Sequence, residues 1–251
     1  MTKAASGSLQ RGLAILVALG KYEYGVGSSQ LARDVELPIS SVHRLLKTLI
    51  GAGFVNYHQQ THQYELGIKV FELSHRVPVV RSLTEVSVNP LRQLAKETGE
   101  TSLLAIRDMY EIVYINHTVG WQSIQVYGAV GERGPLHCTS MGKVLLAFLP
   151  EEERDFVLNG LDLKAYTPHT ITDRHQLQQE LVQVRERSYA LANEEHELQI
   201  RAIGVPVFDH NDQVIAAVTL AGPVFRVKVI DLEGFLPLLQ AAAHEIGVKV
   251  G

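Results

Sequence analysis

The sequence predicts an α+β protein in two domains: three helices closed by a β-hairpin, then a larger domain of antiparallel strands flanked by helices. Three observations support this. A chain of 251 residues is too long for one ordinary core and comfortable for a small domain followed by a medium one. Helical periodicity dominates the first fifty residues, whereas strand-length runs separated by turn residues recur after Gly99. Charge is also uneven. Residues 1–75 hold seven Lys+Arg against five Asp+Glu, which leaves 16 against 22 for the remainder. A mildly basic end on an acidic protein weakly favours nucleic acid as its partner.

The first helix starts near Ser8, a plausible N-cap, with Leu9, Leu13, Leu16, Val17 and Leu19 on one apolar stripe before Gly20. The second starts at Ser28 or Ser29, turns Leu31, Ala32 and Val35 inward, and stops near Leu37-Pro38. The third carries Pro38 in its first turn. It repeats Val42, Leu45, Leu46, Leu49 and Ile50 at helical spacing until Gly51 and Gly53. Phe54 to Tyr57 and Gln63 to Leu66 then flank the polar tip 58–62 as a hairpin. The ordered set is a winged helix-turn-helix.

On the third helix Ser40, His43, Arg44 and Lys47 share a narrow arc opposite the leucines, and all four are hydrogen-bond donors. A helix-turn-helix puts the start of its second helix into the major groove, where such side chains meet base edges and phosphates. Ser40, Ser41, His43, Arg44 and Lys47 are therefore candidate DNA contacts. Ser28 and Gln30 on the second helix and His62 in the wing complete the set.

Beyond the wing, a connecting helix is expected to break near Val77, and a new helix to run from Pro90 to Thr98-Gly99. Expected strands are Ser102 to Arg107, Glu111 to Asn116, Ser123 to Val126, Arg201 to Phe208 and Val214 to Leu220. Amphipathic helices fit Gly142 to Leu149, Glu151 to Leu158, Asp173 to Arg187 and Ile230 to Val248. The domains expected are 1–70 for DNA binding, 71–89 as a linker helix and 90–251 as a sensor.

Leu31-Ala32, the run from Pro38 to Leu46, Gly53-Phe54-Val55 and Tyr64-Glu65-Leu66-Gly67 resemble the DNA-binding half of IclR-family regulators. Pro135 to Ala147, Arg185 to Ala190, Glu194 to Leu198, Ile203 to Asp209 and Ala216 to Pro223 extend the resemblance through the second domain. The resemblance implies a GAF-like sensor domain and a ligand-responsive regulator, taken here as a repressor. It also implies a homodimer or dimer of dimers on a palindromic operator. Glycine is usual in the family at the positions of Ser188 and Gln199, so turn geometry there is an open question.

The loop into the helix at Gly142 offers the backbone N–H groups of Ser140, Met141 and Gly142 to an electron-rich ligand. In relatives that sense small organic acids, positions matching Ala192, Ala202, Thr219 and Ala221 hold the ligand. With Ser123, Val126, Gly134 and Ile200 these form the candidate effector set. Three of the four matched positions are alanine, which leaves a small polar acid short of partners and predicts a bulkier, more apolar effector such as an aromatic acid or lactone.

The rival reading is an enzyme acting on a carboxylate or thioester through His137, Cys138 and residues 194–197. Consecutive residues do not converge on a metal, so a solvated or loop-anchoring role is expected for the Glu194–Glu197 cluster, and Cys138 is expected to be buried and inert. No cofactor, metal or catalytic residue is assigned. One cysteine, a start without a signal-peptide core and no membrane-length apolar run read as a cytoplasmic chain with no membrane partner.

Overall fold

The computed structural model describes residues 7–126 and 128–250, so most of the opening segment read above, residues 1–6, lies outside the described residues. The chain divides into two units, Met1–Arg81 and Ser82–Gly251.

In the first unit the helices are α1 (Ser8–Leu19), α2 (Ser28–Asp34) and α3 (Ile39–Gly51), followed by β1 (Val55–His58), β2 (Gln63–Leu66) and α4 (Ile68–Ser74). Ile15, Leu19, Leu31, Val42, Leu46 and Val55 make the buried core. Four details differ from the sequence reading. Gly7, in extended conformation, precedes α1, and no side chain caps the helix. The expected stripe on α1 is two faces: Ile15, Ala18 and Leu19 are buried, while Leu9, Leu13 and Val17, spaced i, i+4, i+8, are exposed. Helix α2 ends at Asp34, because Glu36 takes a left-handed φ of 52° and turns the chain. Pro38 is the N-cap of α3 and not its first helical residue, with ψ 137°. The wing also has a third short partner. Val26 exchanges two 2.9 Å backbone hydrogen bonds with Tyr64, and Gly25 permits this approach with φ 77° and no Cβ to strike the Tyr64 carbonyl.

The connecting helix breaks between Ser74 and Pro78. Helix α5 (Pro78–Thr98) then runs through Pro90 without stopping, where the sequence suggested a fresh start. A proline inside a helix costs roughly 3 kcal/mol. Leu83, Leu91 and Leu94 are buried on the same stripe at about 1.5 to 3 kcal/mol each, which outweighs it.

The second unit is built on one six-stranded sheet in the order β5-β4-β3-β8-β7-β6, antiparallel throughout. Its strands are β3 (Thr101–Asp108), β4 (Glu111–Thr118), β5 (Arg133–Pro135), β6 (Ala190–Asn193), β7 (Ile200–Phe208) and β8 (Val214–Pro223). Helices α6 (Ser140–Ala147), α7 (Glu151–Gly160) and α8 (Arg174–Arg187) pack their leucines and valines with Leu103, Ala105, Ala217 and Ala221 on one face. Alternation sends Ser102 to the other face, where its hydroxyl donates to the Leu91 carbonyl of α5 at 2.7 Å. The carboxyl-terminal helix expected as one piece is two, α9 (Val229–Gly234) and α10 (Leu236–Val250), with Pro237 in the first turn of the second. Ser123–Val126 is irregular and not a strand: Ser123 is exposed, and the segment pairs with no neighbour in the sheet. Among the described residues no helix is long and apolar enough to cross a membrane.

The two positions where the family resemblance leads one to expect glycine resolve the question of turn geometry. Ser188 caps α8 with φ 61°, and Gln199 turns into β7 with φ 66°, both in the left-handed region. The backbone has kept the glycine conformation without the glycine. A side chain there costs roughly 1 to 2 kcal/mol, part of which is returned because glycine orders at greater entropic cost. Ser188→Gly and Gln199→Gly are each expected to stabilise the protein by about 0.5 to 1 kcal/mol in urea unfolding; a loss of stability in both would mean the side chains make contacts worth more than the strain.

Candidate functional site

Two surfaces carry chemistry, one in each unit. On α3, Val42, Leu45 and Leu46 are buried, which fixes the rotation of the helix and leaves Ser40, His43, Arg44 and Lys47 exposed on the outward arc, with Ser41 half-buried beside them. Among the described residues neither Arg44 nor Lys47 is drawn into an ion pair, so both cations remain available to phosphate or base. The other candidates are more constrained. Gln30 sits in a network on α2, donating to Asp34 at 2.7 Å and accepting from Arg33, while Tyr22 donates to the same carboxylate at 2.6 Å. Ser28 is half-buried at the start of α2. His62 stands at the wing tip with φ 56°, its Nδ1 2.8 Å from the Tyr57 hydroxyl, and the two strands are tied diagonally by His58 and Glu65 at 2.8 Å.

The second surface is a cavity of about 240 Å³ on the α6 side of the large sheet. The strand register builds its floor. Ala192 on β6 stands opposite Ala202 on β7, and Ala202 opposite Ala221 on β8, so the three alanines form one row across three strands. In the next row Gly204 faces Thr219, which faces Leu103. The small side chains of the alanine row leave the space, and Gly204 lets the start of α6 pack against the sheet.

Helix α6 closes one end. Thr139 is its N-cap, accepting from the Gly142 amide at 3.0 Å. The Ser140 hydroxyl donates to Thr219 at 2.7 Å, and Thr219 donates to the Ile203 carbonyl at 2.5 Å, which orients both hydroxyls. The amides of Ser140 and Met141, first in the helix, have no intrahelical acceptor and carry the positive end of the helix dipole. Only glycine fits at 142, since a Cβ would lie 2.3 Å from the Leu136 carbonyl oxygen.

Of the expected effector contacts, Val126, Ser140, Met141, Ala192, Ile200, Ala202, Thr219 and Ala221 line this cavity. Three do not. Ser123 is solvent-exposed in its irregular segment. Gly134 pairs with Ile112 on the edge strand β5, and the Gly142 amide is already taken by Thr139. The structure adds Tyr114 from β4 and Glu132 and Arg133 from the β5 side, and it brings Glu195, His196 and Glu197, read from the sequence as a loop anchor and not as effector contacts, to the same cavity from the turn after β6. The alternation of β4 could have marked Tyr114. The rest come together only through the curl of the sheet, which brings loops from its two edges to one cavity.

The Glu194–Glu197 turn is an anchor. Lys143 on α6 is 1% exposed and is neutralised by Glu195 at 2.8 Å and Glu180 at 3.3 Å, with Arg187 completing the network on Glu180 at 2.9 Å. Thr167 and Thr170 donate to the carbonyls of Glu194 and Glu195 and clamp the same turn. Among the described residues no group of three metal-ligating side chains forms. Cys138 is fully buried, and burial with the nearby Glu195 pushes its thiol up to about 12, the wrong direction for a nucleophile. The His137 Nε2 lies 3.0 Å from the Lys164 carbonyl.

Burial holds His137 and His196 below the ordinary histidine value. As pH falls past about 6.5 the unfolded chain therefore takes up protons that the folded chain refuses, so stability falls with pH across that window. The melting temperature is expected to drop from pH 7 to pH 5, and the H137Q/H196Q double variant to drop less; an identical slope in both proteins would assign the acid sensitivity elsewhere.

Residues 75–248 match the family model described as bacterial transcriptional regulator IclR C-terminal, and residues 8–59 the IclR helix-turn-helix domain. The chain is 34% identical over 244 residues to the HTH-type transcriptional regulator XynR of Escherichia coli, covering 97% of each. It is 30% identical to the transcriptional repressor IclR of the same organism, covering 97% of this chain and 90% of that one. Among solved structures, the inducer-binding domain of a PobR double mutant from Acinetobacter, in complex with 3-hydroxybenzoic acid, aligns with 35% identity and a TM-score of 0.61. That alignment covers 65% of this chain and 97% of that one.

Proposed function

This chain belongs to the IclR family of transcriptional regulators, and on that premise we propose that it is a cytoplasmic repressor whose affinity for a palindromic operator is set by a small organic acid bound in the 240 Å³ cavity. One observation carries the DNA half of the reading: α3 turns its apolar face into the core and presents Ser40, His43, Arg44 and Lys47 outward with no internal partner for either cation. Arg44 is assigned to base edges or phosphate and Lys47 to phosphate, and His62 extends the contact through the wing.

A dimer follows from the second apolar face of α1. Leu9, Leu13 and Val17 are 77%, 53% and 70% exposed, and Ile68 and Phe71 on α4 of the same unit are exposed as well. Large apolar side chains left in water on two helices of one small unit are best explained by a second copy, and a twofold dimer reads two half-sites. A dimer of dimers extends the same scheme. The repressor assignment follows the relative IclR of Escherichia coli, a transcriptional repressor.

The effector is assigned to the aromatic-acid class. The alanine row offers flat apolar area to a ring, the start of α6, which lines the cavity, offers amides to a carboxylate, and the PobR domain that resembles this one holds 3-hydroxybenzoic acid. The domains proposed are DNA binding in 1–70, a linker in 71–89 and the sensor in 90–251.

The DNA reading is tested by fluorescence anisotropy on a labelled duplex from upstream of the protein's own gene, at physiological salt with nonspecific competitor. Wild type is expected to bind at about 10⁻⁸ M or tighter, and Arg44→Ala about 10-fold or more weakly. Weak, sequence-blind binding that Arg44→Ala leaves unchanged would contradict it.

A further inference from the structure

The hydroxyl groups that line the effector cavity belong to Tyr114, Thr139, Ser140 and Thr219. All but one have spent their hydrogens inside the protein. Thr139 donates to the Pro135 carbonyl at 2.7 Å, Ser140 donates to Thr219, and Thr219 donates to the Ile203 carbonyl. Among the described residues the Tyr114 hydroxyl bonds to nothing, although Tyr114 is half-buried and packed against the core. A tyrosine hydroxyl inside a fold ordinarily finds a partner, so an idle one on a cavity wall marks a place for a ligand atom.

A bulge aims this ring. Tyr114 stands opposite Ala105 and Asn116 opposite Leu104, so β4 spends one extra residue, Ile115, between them. Asn116 therefore faces α5, where its amide donates to Ser87 at 2.8 Å, while Tyr114 shares the α6 face with Ile112 and Ala105. Strict alternation would have sent Tyr114 and Asn116 to one face.

The surroundings of the hydroxyl are cavity wall. Burial, and then the charges of Glu132, Cys138 and Glu197, which all line the cavity, push its pKa up to about 12. The phenol is protonated at neutral pH and is a donor. Its position is set apart from the helix start. A Cβ at Gly134 of β5 would lie 3.5 Å from the hydroxyl oxygen, whereas a Cβ at Gly204 of β7, four strands away in the sheet, would lie 3.3 Å from the Met141 nitrogen. The hydroxyl and the α6 amides thus meet different atoms of one ligand.

We infer that Tyr114 is a specificity-determining residue of the sensor, its hydroxyl donating a hydrogen bond to an acceptor atom of the effector other than the anionic group at α6. This rests on the assignment of the cavity as the effector site. It goes beyond that assignment by naming a side chain that chooses among ligands of one shape: a ligand with no acceptor within reach leaves the phenol unpaired and forfeits the bond.

Calorimetry on the full chain at pH 7.5 tests this with matched probes, 3- and 4-formylbenzoate against 3- and 4-vinylbenzoate. Each pair exchanges a carbonyl oxygen for a CH₂ and keeps the shape. For wild type, one formyl isomer is expected to bind about 3- to 10-fold more tightly than its vinyl partner. Tyr114→Phe is expected to erase that preference and leave the vinyl compound unchanged. Because the hydroxyl makes no bond within the protein, the melting temperature of the ligand-free variant is expected to equal that of wild type. If neither formyl isomer is preferred, or the preference survives in Tyr114→Phe, the inference is wrong while the aromatic-acid reading stands. If the variant weakens formyl and vinyl ligands alike, or melts lower without ligand, Tyr114 shapes the cavity and bonds to no effector. If none of the four binds wild type, the aromatic-acid reading and the inference both fail.

Discussion

The sensor cavity depends on one buried lysine. Helix α6 is enclosed along its whole length, and Lys143 lies in its middle with 1% of its surface exposed. An ammonium so placed must be neutralised, because an unpaired buried charge costs several kcal/mol even after relaxation. Glu195 and Glu180 do this, and the first of them belongs to the turn that lines the cavity. A charge constraint inside the core therefore fixes where the cavity wall stands. Arg187 on Glu180 and the two threonines on the turn carbonyls extend the same constraint to α8 and to the segment before it.

This arrangement separates the parts of the site that vary freely from those that do not. The alanine row sits on regular strands and sets the volume by side-chain size alone. The start of α6 is held by Thr139, by the Ser140–Thr219 hydrogen bond and by the glycine at 142, so its free amides point where the backbone directs them. The loops contribute the polar part of the lining, Glu132 and Glu195 to Glu197. Such a division lets one scaffold accept different effectors by exchanging a few side chains, consistent with function residing in sites on a shared fold.

The winged helix was legible in the sequence because its signals are local: heptad-like leucines on α3, the glycine and proline stops, and a hairpin with a polar tip. The misreadings have physical causes. Pro90 stands inside α5 because buried leucines outweigh a local penalty, and no window of sequence displays burial. The edge strands β5 and β6 are three and four residues long, too short to show alternation. Helix α1 has two apolar faces, and periodicity cannot tell the one that meets the core from the one left outside. For the cavity, the alanines and Thr219 came from family resemblance, and the register explains why they act together. Tyr114 and Glu132 were beyond reach, and Glu195 and Glu197 were legible as a loop anchor but not as cavity wall, because these residues meet from distant points of the chain over a curled sheet.

A regulator of this kind requires that the cavity and the operator-facing helix belong to one switch, and thermodynamic linkage makes that requirement measurable. The decisive experiment is to measure operator affinity with and without saturating 3-hydroxybenzoate, and 3-hydroxybenzoate affinity with and without saturating operator. A two-site switch requires both ratios to depart from one by the same factor, on the order of 5- to 150-fold. Ligand binding that leaves operator affinity unchanged, with the reciprocal ratio also at one, would contradict it and leave a cavity that binds without signalling.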